Sequence, residues 1–213
     1  MTPFFSIIVV CLNPGEKLLQ TLQSIQKQEF RDYEIVLKDG GSTDGSLQKL
    51  DPGQSGLHVV TKPDRGIYDA MNQAVEEAKG RFVFFLNCGD WFMDEQVLAD
   101  MHDRIAGQEQ TGTEHSAIYY GNVYERVTGQ LVSSNPKLNA FGCYRNVPCH
   151  QACFYERELL LRHPFQLEYR VRADYEQFLW CFFEAKANPF YTGITVADYE
   201  GGGFSETKKN LAV

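Results

Sequence analysis

The chain has 213 residues, 43% of them hydrophobic, and a formal net charge of −8. This composition is sufficient for one large buried core, so a single globular domain is expected. An acidic chain without a run of Lys or Arg does not fit a general nucleic-acid binder, because such proteins present a basic face. No segment approaches the roughly 18 apolar residues of a membrane span. The N-terminus also lacks a signal-peptide pattern, so we expect a cytoplasmic protein.

The six cysteines give little support for a structural metal centre. They form no CxxC pair, and the one group that includes a histidine is Cys143, Cys149, His150 and Cys153. Zinc at this group is the less favoured alternative, because its spacing matches no common zinc motif. Reduced, partly buried cysteines are what a cytosolic protein usually carries.

Strands and helices are predicted to alternate over the first half of the chain. Residues 5–12 form a β-branched run typical of a strand buried on both faces, and residues 16–28 place apolar side chains at helical spacing. Then come a strand at 33–37, a short helix toward Leu50 with Ser42, Thr43 or Asp44 as its N-cap, a strand at 57–61, a helix at 66–78 and a strand at 81–86. This order predicts an α/β domain whose mainly parallel central sheet is flanked by helices.

A polar segment follows each of the four predicted strands. These segments are residues 13–15, 39–42, 63–65 and 87–90. The carboxyl ends of parallel strands meet at one edge of a sheet, and ligands bind in the crevice beyond that edge. The four segments are therefore expected to line one site.

The second half of the chain is predicted to make the sheet mixed. A helix from Met93 through Ile105, an exposed loop at 108–116, and strands at 117–124 and 130–134 come first. Another strand at 148–155, an apolar helix at 168–187 and a last strand at 190–198 follow. No internal repeat, linker or domain boundary is visible, so residues 1–213 are interpreted as one domain.

Two loops have alternative interpretations. The segment DGGSTDGS, which begins at Asp39, fails the EF-hand pattern, because Asp44 replaces the required glycine and Leu50 replaces the required glutamate. It is either a glycine-rich turn that caps a helix or a loop in which Asp39 accepts a hydrogen bond from a nucleobase. Asp90, in FFLNCGDWF, is either a turn residue or a ligand at the edge of the sheet.

Four motifs in register resemble glycosyltransferase family 2, whose members have the GT-A fold. SIIVVCLN, DGGSTDGS, DRGIYDAMNQAVEEAKG and FFLNCGD are similar to the nucleotide-binding half of that family, and VPCHQACFY, RADYEQFL and YEGGGFS extend the resemblance to nearly the whole chain. The closest resemblance is to short bacterial members that assemble O-antigen, capsule or exopolysaccharide. It implies a nucleotide-binding half at 1–92 and an acceptor and catalytic half at 93–213.

The resemblance also implies roles for individual residues. Those expected to bind the donor nucleotide are Asn13, Pro14, Asp39, Asp64, Asp69, Asn72, Asn87, His150 and Ser205. Asp90 stands in a DxD-type motif in which Asn87 and Gly89 replace carboxylates, and it is expected to hold Mg²⁺ or Mn²⁺ on the donor diphosphate. Asp174 matches the catalytic base, with Glu176 as a nearby competitor. The structural alternatives are first-turn capping and the polar face of a helix for Asp69 and Asn72, helix capping for Asp174, and burial against backbone groups for His150.

The function implied is an inverting, metal-dependent hexosyl transfer in cell-surface polysaccharide or lipopolysaccharide synthesis. The donor would be a UDP- or GDP-type sugar, and the acceptor a hydroxyl of a saccharide or lipid-linked saccharide. Peripheral association with the inner face of the membrane, and a homodimer, are compatible with this interpretation. Two other functions stay open. One is a nucleotide-sugar-binding subunit without catalysis, and the other is a nucleotidyltransferase, which is expected to carry a Gly-rich, Lys/Arg-bearing loop after the first strand, where residues 13–16 stand.

Overall fold

The computed structural model describes residues 2–51, 53, 55–110 and 117–201. Its strands are β1 (Phe5–Cys11), β2 (Tyr33–Asp39), β3 (Leu57–Thr61), β4 (Phe82–Phe85), β5 (Trp91–Phe92), β6 (Ala117–Glu125), β7 (Gln130–Val132), β8 (Cys153–Glu156) and β9 (Asn188–Tyr199). Its α-helices are α1 (Lys17–Gln26), α2 (Ile67–Glu77), α3 (Val97–Glu109), α4 (Ala140–Arg145), α5 (Arg157–Arg162) and α6 (Ala173–Phe183). Short 3₁₀ turns cover Leu47–Lys49 and His150–Ala152.

The first four strands form a parallel unit in the order β3-β2-β1-β4. Strand β1 lies in its middle, and its side chains alternate between two core clusters on opposite faces of the sheet. Helices α1 and α3 pack on one face, and helices α2, α5 and α6 cover the other. The continuous apolar run of β1 therefore reflects burial on both faces, as the sequence predicts.

The second half of the chain extends the same sheet through β8, β6, β9 and β5. Strand β8 runs antiparallel to both β4 and β6, whereas β6 and β9 pair in parallel over most of their length. Strand β7 forms a hairpin with β6. The mixed, mainly parallel sheet flanked by helices is thus confirmed, and the carboxyl ends of β1 to β4 open at one edge.

Several predicted boundaries are wrong, each for a local reason. Helix α3 begins at Val97, because Trp91 and Phe92 first pair with β9 as strand β5. Helix α6 begins at Ala173, because Arg172 before it adopts a left-handed φ of 67°. The predicted strand at 148–155 is a 3₁₀ turn followed by β8, and the predicted helix before Leu50 is one 3₁₀ turn with Ser46 as N-cap.

Helices α4 and α5 are absent from the sequence prediction, because six residues are too few to show helical periodicity. The predicted loop at 108–116 is helical up to Glu109, and residues 111–116 lie outside the described part. None of the six cysteines, all of which lie in the described ranges, forms a disulfide. Over the described ranges, no helix is both long and apolar enough to cross a membrane.

Candidate functional site

The polar segments after β1, β2 and β3 contact one another at the carboxyl edge of the sheet. The backbone N–H of Asn13 donates to Ser42 Oγ at 2.7 Å, and the N–H of Thr43 donates to Asn13 Oδ1 at 2.8 Å. Lys38, a fully buried cation on β2, lies with Nζ 2.9 Å from Asp64 Oδ2. Asn13 is exposed and Pro14 half-buried beside this junction. The parallel topology therefore gathers these segments as expected.

Asp39 shapes the loop that follows β2. Its side chain is buried, and its carboxylate accepts hydrogen bonds from the N–H of Gly41 at 3.1 Å and from the N–H of Ser42 at 3.0 Å. The Ser42 hydroxyl donates to the same carboxylate at 2.5 Å. These contacts hold the glycine-rich turn in place. A contact between Asp39 and a nucleobase stays a prediction.

Three predicted donor-binding residues on and before α2 have structural contacts of their own. Asp64 pairs with Lys38, and Asp69 Oδ2 accepts from the backbone N–H of Arg65 at 2.9 Å. The Asn72 side chain exchanges two hydrogen bonds with the backbone of Phe165, at 2.9 and 2.8 Å. The Asp69 contact at the start of α2 matches the capping alternative, whereas Asn72 ties α2 to the backbone of Phe165 instead of capping the helix. A role of all three in binding the donor stays a prediction.

A cleft of about 330 Å³ lies at the same edge, between the link from β4 to β5 and the start of α6. It brings together Asn87, Asp90, His150 and Asp174, which the sequence analysis singles out in three separate motifs. Tyr68 and Gln151 also line it. A second depression, between α1 and β5, contains none of the predicted site residues. The chemistry of the lining residues therefore favours the cleft at the carboxyl edge as the functional site.

Asp174, in the first turn of α6, is held by two donors. The Tyr68 hydroxyl donates to Oδ1 at 2.8 Å, and His150 Nδ1 lies 3.2 Å from Oδ2. Burial by itself would raise the pKa of Asp174, but the hydrogen bond and charge of His150, together with the Tyr68 hydroxyl, lower this pKa to about 2. The carboxylate is therefore ionised at neutral pH and can accept a proton.

His150 lies between Asp174 and Asn87 in the cleft. Its Nδ1 faces Asp174, while its Nε2 lies 3.4 Å from Asn87 Nδ2. Asn87 Oδ1 is buried and has no hydrogen-bond partner among the described residues. A buried acceptor without a donor is costly, so this amide is suited to a ligand hydroxyl or a cation.

Asp90 is buried on the opposite side of the cleft with three donors around its carboxylate. The N–H of Glu200 donates to Oδ1 at 2.7 Å, Arg126 Nη2 donates to the same atom at 3.2 Å, and Gln151 Nε2 donates to Oδ2. Burial raises the pKa of Asp90, and these donors offset the rise only in part. Asp90 is thus more than a turn residue, because it links the β4–β5 turn to both β6 and the end of β9.

The residues present fit a divalent cation that takes most of its ligands from elsewhere. Across the described ranges, no group of three or more His, Cys, Asp or Glu side chains is arranged to hold a metal. The Asp90 carboxylate has about four acceptor positions, of which three are used. The remaining acceptor position lies on Asp90 Oδ2. This oxygen and the unpartnered Asn87 Oδ1 are of the hard kind that Mg²⁺ and Mn²⁺ prefer as ligands. A diphosphate and water would have to supply the rest.

The sequence analysis does not predict a functional role for two residues of the site, Tyr68 and Arg126. Tyr68 lies inside the quoted motif DRGIYDAMN, so its position was visible but its contact with Asp174 was not. Arg126 belongs to no motif, and only the pairing of β6 with β9 brings it to Asp90. Ser205, a predicted donor-binding residue, lies outside the described residues.

Comparison with known proteins agrees with this geometry. Residues 6–160 match the family model "Glycosyl transferase family 2". The PGL/p-HBAD biosynthesis glycosyltransferase of Mycobacterium tuberculosis is 36% identical over 211 residues, covering 96% of this chain and 80% of its own. An uncharacterized glycosyltransferase of the same species, Rv1514c, is 28% identical over 82% of this chain and 67% of its own.

Solved structures show the same fold at low sequence identity. Staphylococcus aureus TarS 1–349 in complex with UDP-GlcNAc superposes with a TM-score of 0.77 at 21% identity, over 93% of this chain and 59% of that one. The mannosyltransferase PcManGT of Pyrobaculum calidifontis, in complex with GDP-Man and Mn²⁺, gives a TM-score of 0.67 at 17% identity, over 96% and 59%. The chain thus spans about 59% of the length of these two solved chains. The family model, the 36% identity and the shared GT-A fold together show that this chain belongs to glycosyltransferase family 2.

Proposed function

We propose that the protein transfers a hexose from a nucleoside-diphosphate donor to an acceptor hydroxyl, with inversion at the anomeric carbon. The observation that carries this proposal is the ionised Asp174, held by Tyr68 and His150 and facing a cleft whose other wall contains Asp90. A single in-line displacement needs one base and no protein nucleophile. The cleft offers that base, and no second one is required.

In this mechanism, Asp174 accepts the proton of the acceptor hydroxyl while the hydroxyl oxygen forms its bond to the anomeric carbon. The bond between that carbon and the donor diphosphate breaks, and the electron pair leaves with the diphosphate. Tyr68 and His150 keep the carboxylate in one orientation, which favours proton transfer in a defined direction. A divalent cation bound at Asp90 would stabilise the departing diphosphate as a Lewis acid.

The relatives support the chemical class of both substrates. The ligands bound in the two solved structures, UDP-GlcNAc in one and GDP-Man with Mn²⁺ in the other, favour a UDP- or GDP-type sugar and a divalent cation for this chain too. The relative named for PGL/p-HBAD biosynthesis supports a biosynthetic sugar transfer, and we extend this to an acceptor hydroxyl on a saccharide or lipid-linked saccharide of the cell surface as part of the proposal.

The outward face of α4 supports peripheral contact with a membrane that holds such an acceptor. Phe141, Tyr144 and Arg145 share one face of this helix, and the two aromatic side chains are 68% and 80% exposed. The carbonyl oxygens of Cys143 and Tyr144 accept from the hydroxyl of Tyr175, the residue next to Asp174. Contact through α4 would therefore place the cleft close to the lipid surface.

The experiment that tests the function is release of nucleoside diphosphate from UDP- and GDP-sugars, with Mn²⁺ or EDTA and a saccharide acceptor panel. We expect turnover in the wild type and a loss of about 100-fold or more in Asp174→Asn, with nucleotide binding retained. Glu176→Gln is the matched control, because Glu176 pairs with His163 at 2.9 Å instead of with Asp174's partners. Full activity in Asp174→Asn would contradict the assigned base.

The two alternative functions predict different results in the same assay. A binding subunit would bind nucleotide tightly, seen as a thermal shift, without turnover of any donor. A nucleotidyltransferase would release pyrophosphate from a nucleoside triphosphate. The loop after β1 is bonded to the loop after β2 through Asn13 and Ser42 and holds no basic residue between Asn13 and Glu16, so nothing in it favours the nucleotidyltransferase.

A further inference from the structure

Arg126, just after β6, has a guanidinium that is held on all sides. Its Cζ lies 3.5 Å from the centroid of the Trp91 ring, and its Nε lies 3.0 Å from Asp198 Oδ1. Its Nη2 donates to the carbonyl oxygen of Gly89 at 2.7 Å and to Asp90 Oδ1 at 3.2 Å. The side chain is only 23% exposed. A guanidinium with this many partners has little freedom to leave Asp90.

The partners of Arg126 are themselves fixed by strand pairing. Trp91 on β5 is paired with Asp198 on β9, so the aromatic face and the second carboxylate belong to one antiparallel ladder. The backbone N–H of Arg126 donates to the carbonyl oxygen of Tyr199 at 3.0 Å. Arg126 therefore moves with the sheet rather than with the cleft.

The contacts of Arg126 reduce the negative charge and the number of open acceptor positions that Asp90 offers to a cation. The Asp90 charge is already paired with a guanidinium, and Oδ1 also accepts from Glu200 N–H, so a free acceptor position is left only on Oδ2. A metal ion without its nucleotide would meet a single open position on this carboxylate, next to a guanidinium charge that Asp90 shares with Asp198. A nucleoside diphosphate brings further negative charge and several oxygen ligands, which outweigh the guanidinium.

We propose that Arg126 is a positioning residue that orients Asp90 and makes cation binding there depend on the bound donor diphosphate. This inference deepens the proposed function and rests on it for the diphosphate. It assigns to Arg126 two effects: it holds one oxygen of Asp90 toward the cleft, and it weakens the binding of a bare divalent cation. The cation would then bind together with the nucleotide and not before it.

The test measures Mn²⁺ binding by the electron paramagnetic resonance signal of free Mn²⁺, with and without UDP or GDP. We expect wild-type protein to bind Mn²⁺ only when nucleotide is present. Arg126→Met keeps an aliphatic contact with Trp91 but removes the charge, so nucleotide-free Mn²⁺ binding should tighten by about tenfold or more. In the double variant with Asp90→Asn, this gain should disappear.

A matched control exists on the far side of the molecule. Arg81 also lies over an aromatic ring, Phe82, at 4.9 Å, and pairs with two carboxylates, Glu109 and Glu156. Arg81→Met should leave Mn²⁺ binding unchanged. Arg126→Lys retains the charge, and we expect no gain in nucleotide-free binding from it.

Three results would overturn the proposal: equally tight Mn²⁺ binding by the wild type with and without nucleotide, unchanged binding in Arg126→Met, or a gain that survives Asp90→Asn. The wild-type measurement does not depend on the folding of any variant. If wild type binds no nucleotide at all, the proposed function fails. The nucleotide-free titrations of wild type and Arg126→Met would still decide whether Arg126 weakens the binding of a bare cation.

Discussion

At the scale of single residues, the two aspartates of the cleft are held in opposite ways. Asp174 has donors that outweigh its burial, and its pKa falls to about 2. Asp90 has donors that do not outweigh its burial, and its pKa rises above the usual value. A catalytic base must stay ionised. A buried carboxylate whose charged form is destabilised by loss of water is suited to binding a cation, because the cation offsets that cost. The two environments therefore match the two proposed roles.

Replacing Asp174 should lower stability at neutral pH. Because its pKa is lowered, ionised Asp174 contributes to the free energy of unfolding. This contribution is fully present above the usual pKa near 4 and is lost as pH falls toward about 2. We expect Asp174→Asn to cost about 2 kcal/mol at neutral pH and almost nothing near pH 2, measured by urea unfolding across this range. Equal stability of variant and wild type at neutral pH would contradict the contacts described for Asp174.

Replacing Asp90 should change the stability in the opposite direction to replacing Asp174. Because its pKa is raised, ionised Asp90 destabilises the folded state above its usual pKa, and this cost is relieved as pH falls. Asp90→Asn is therefore expected to keep or raise the thermal midpoint at neutral pH while it reduces Mn²⁺-dependent turnover. The measurement is a thermal melt alongside the donor assay. A clear drop of the midpoint would show that the Arg126 pair matters more to stability than burial does.

The Tyr68 hydroxyl should affect the catalytic base Asp174 without affecting the binding of the donor sugar nucleotide. Tyr68→Phe removes one donor from Asp174, so the pKa of the carboxylate rises and the acidic limb of the kcat profile moves to higher pH. We expect kcat to fall by about tenfold, the size of one lost hydrogen bond, with the KM for the donor unchanged. Tyr33→Phe is the control, because its hydroxyl donates to Ile25 O, away from the cleft. An unshifted pH profile would argue against positioning by Tyr68.

At the scale of elements, the close pairing of β6 with β9 supports one wall of the cleft. The register shifts around Gly121, where an added Cβ would lie 2.1 Å from the carbonyl oxygen of Ile194. This pairing carries Arg126 and Asp198 to Asp90, so the two strands must approach closely for the cleft to form. Glycine is needed here for space rather than for an unusual φ.

Gly121→Ala should therefore separate the strands and lower the free energy of unfolding by about 2 to 3 kcal/mol, because overpacking forces backbone shifts. Gly107→Ala is the contrasting control. Gly107 lies in α3 with nothing within 4 Å of an added Cβ, and alanine there should stabilise by about 1 kcal/mol. Urea unfolding of both variants measures the difference. Wild-type stability of Gly121→Ala would mean that the strands can part without cost.

At the scale of the whole molecule, an acidic protein carries a long stretch of sequence without acidic residues. The net charge is −8, yet no Asp or Glu occurs from residue 126 to residue 155, the region that holds the exposed face of α4. The aromatic side chains of this face, with Lys137 and Arg145 beside them, are of the kind that contact lipid headgroups. We therefore expect the proposed contact with an anionic lipid surface to be made by this side of the molecule.

We expect sedimentation with phosphatidylglycerol vesicles, weaker sedimentation with phosphatidylcholine vesicles, and release by salt. Phe141→Ser with Tyr144→Ser should reduce binding several-fold, because each exposed ring contributes apolar contact. Tyr169→Ser is the matched control, since that ring is 45% exposed elsewhere on the surface. Equal loss in the control, or binding unaffected by the α4 changes, would exclude α4 as the contact.

The sequence by itself determined the parallel core, because β1 and β4 are continuous apolar runs, and such runs are a local pattern typical of strands buried on both faces. It also placed Asp90, His150, Asn87 and Asp174 among the candidate site residues, through motifs a few residues long. The short helices α4 and α5 have too few residues to show helical periodicity, and the delayed start of α6 follows the left-handed φ of Arg172, which the apolar pattern does not indicate.

Only the tertiary structure decided which partners the site residues have. Tyr68 and Asp174 are 106 positions apart in the chain, and Arg126 and Asp90 are 36 apart, so no motif could join them. These pairs form because the mixed sheet folds β6, β8 and β9 back beside β4. The carboxylate at the end of FFLNCGD thus changes from a residue between two strands into one paired with a guanidinium. Burial and pairing, which set its pKa, are properties of the fold and not of the motif.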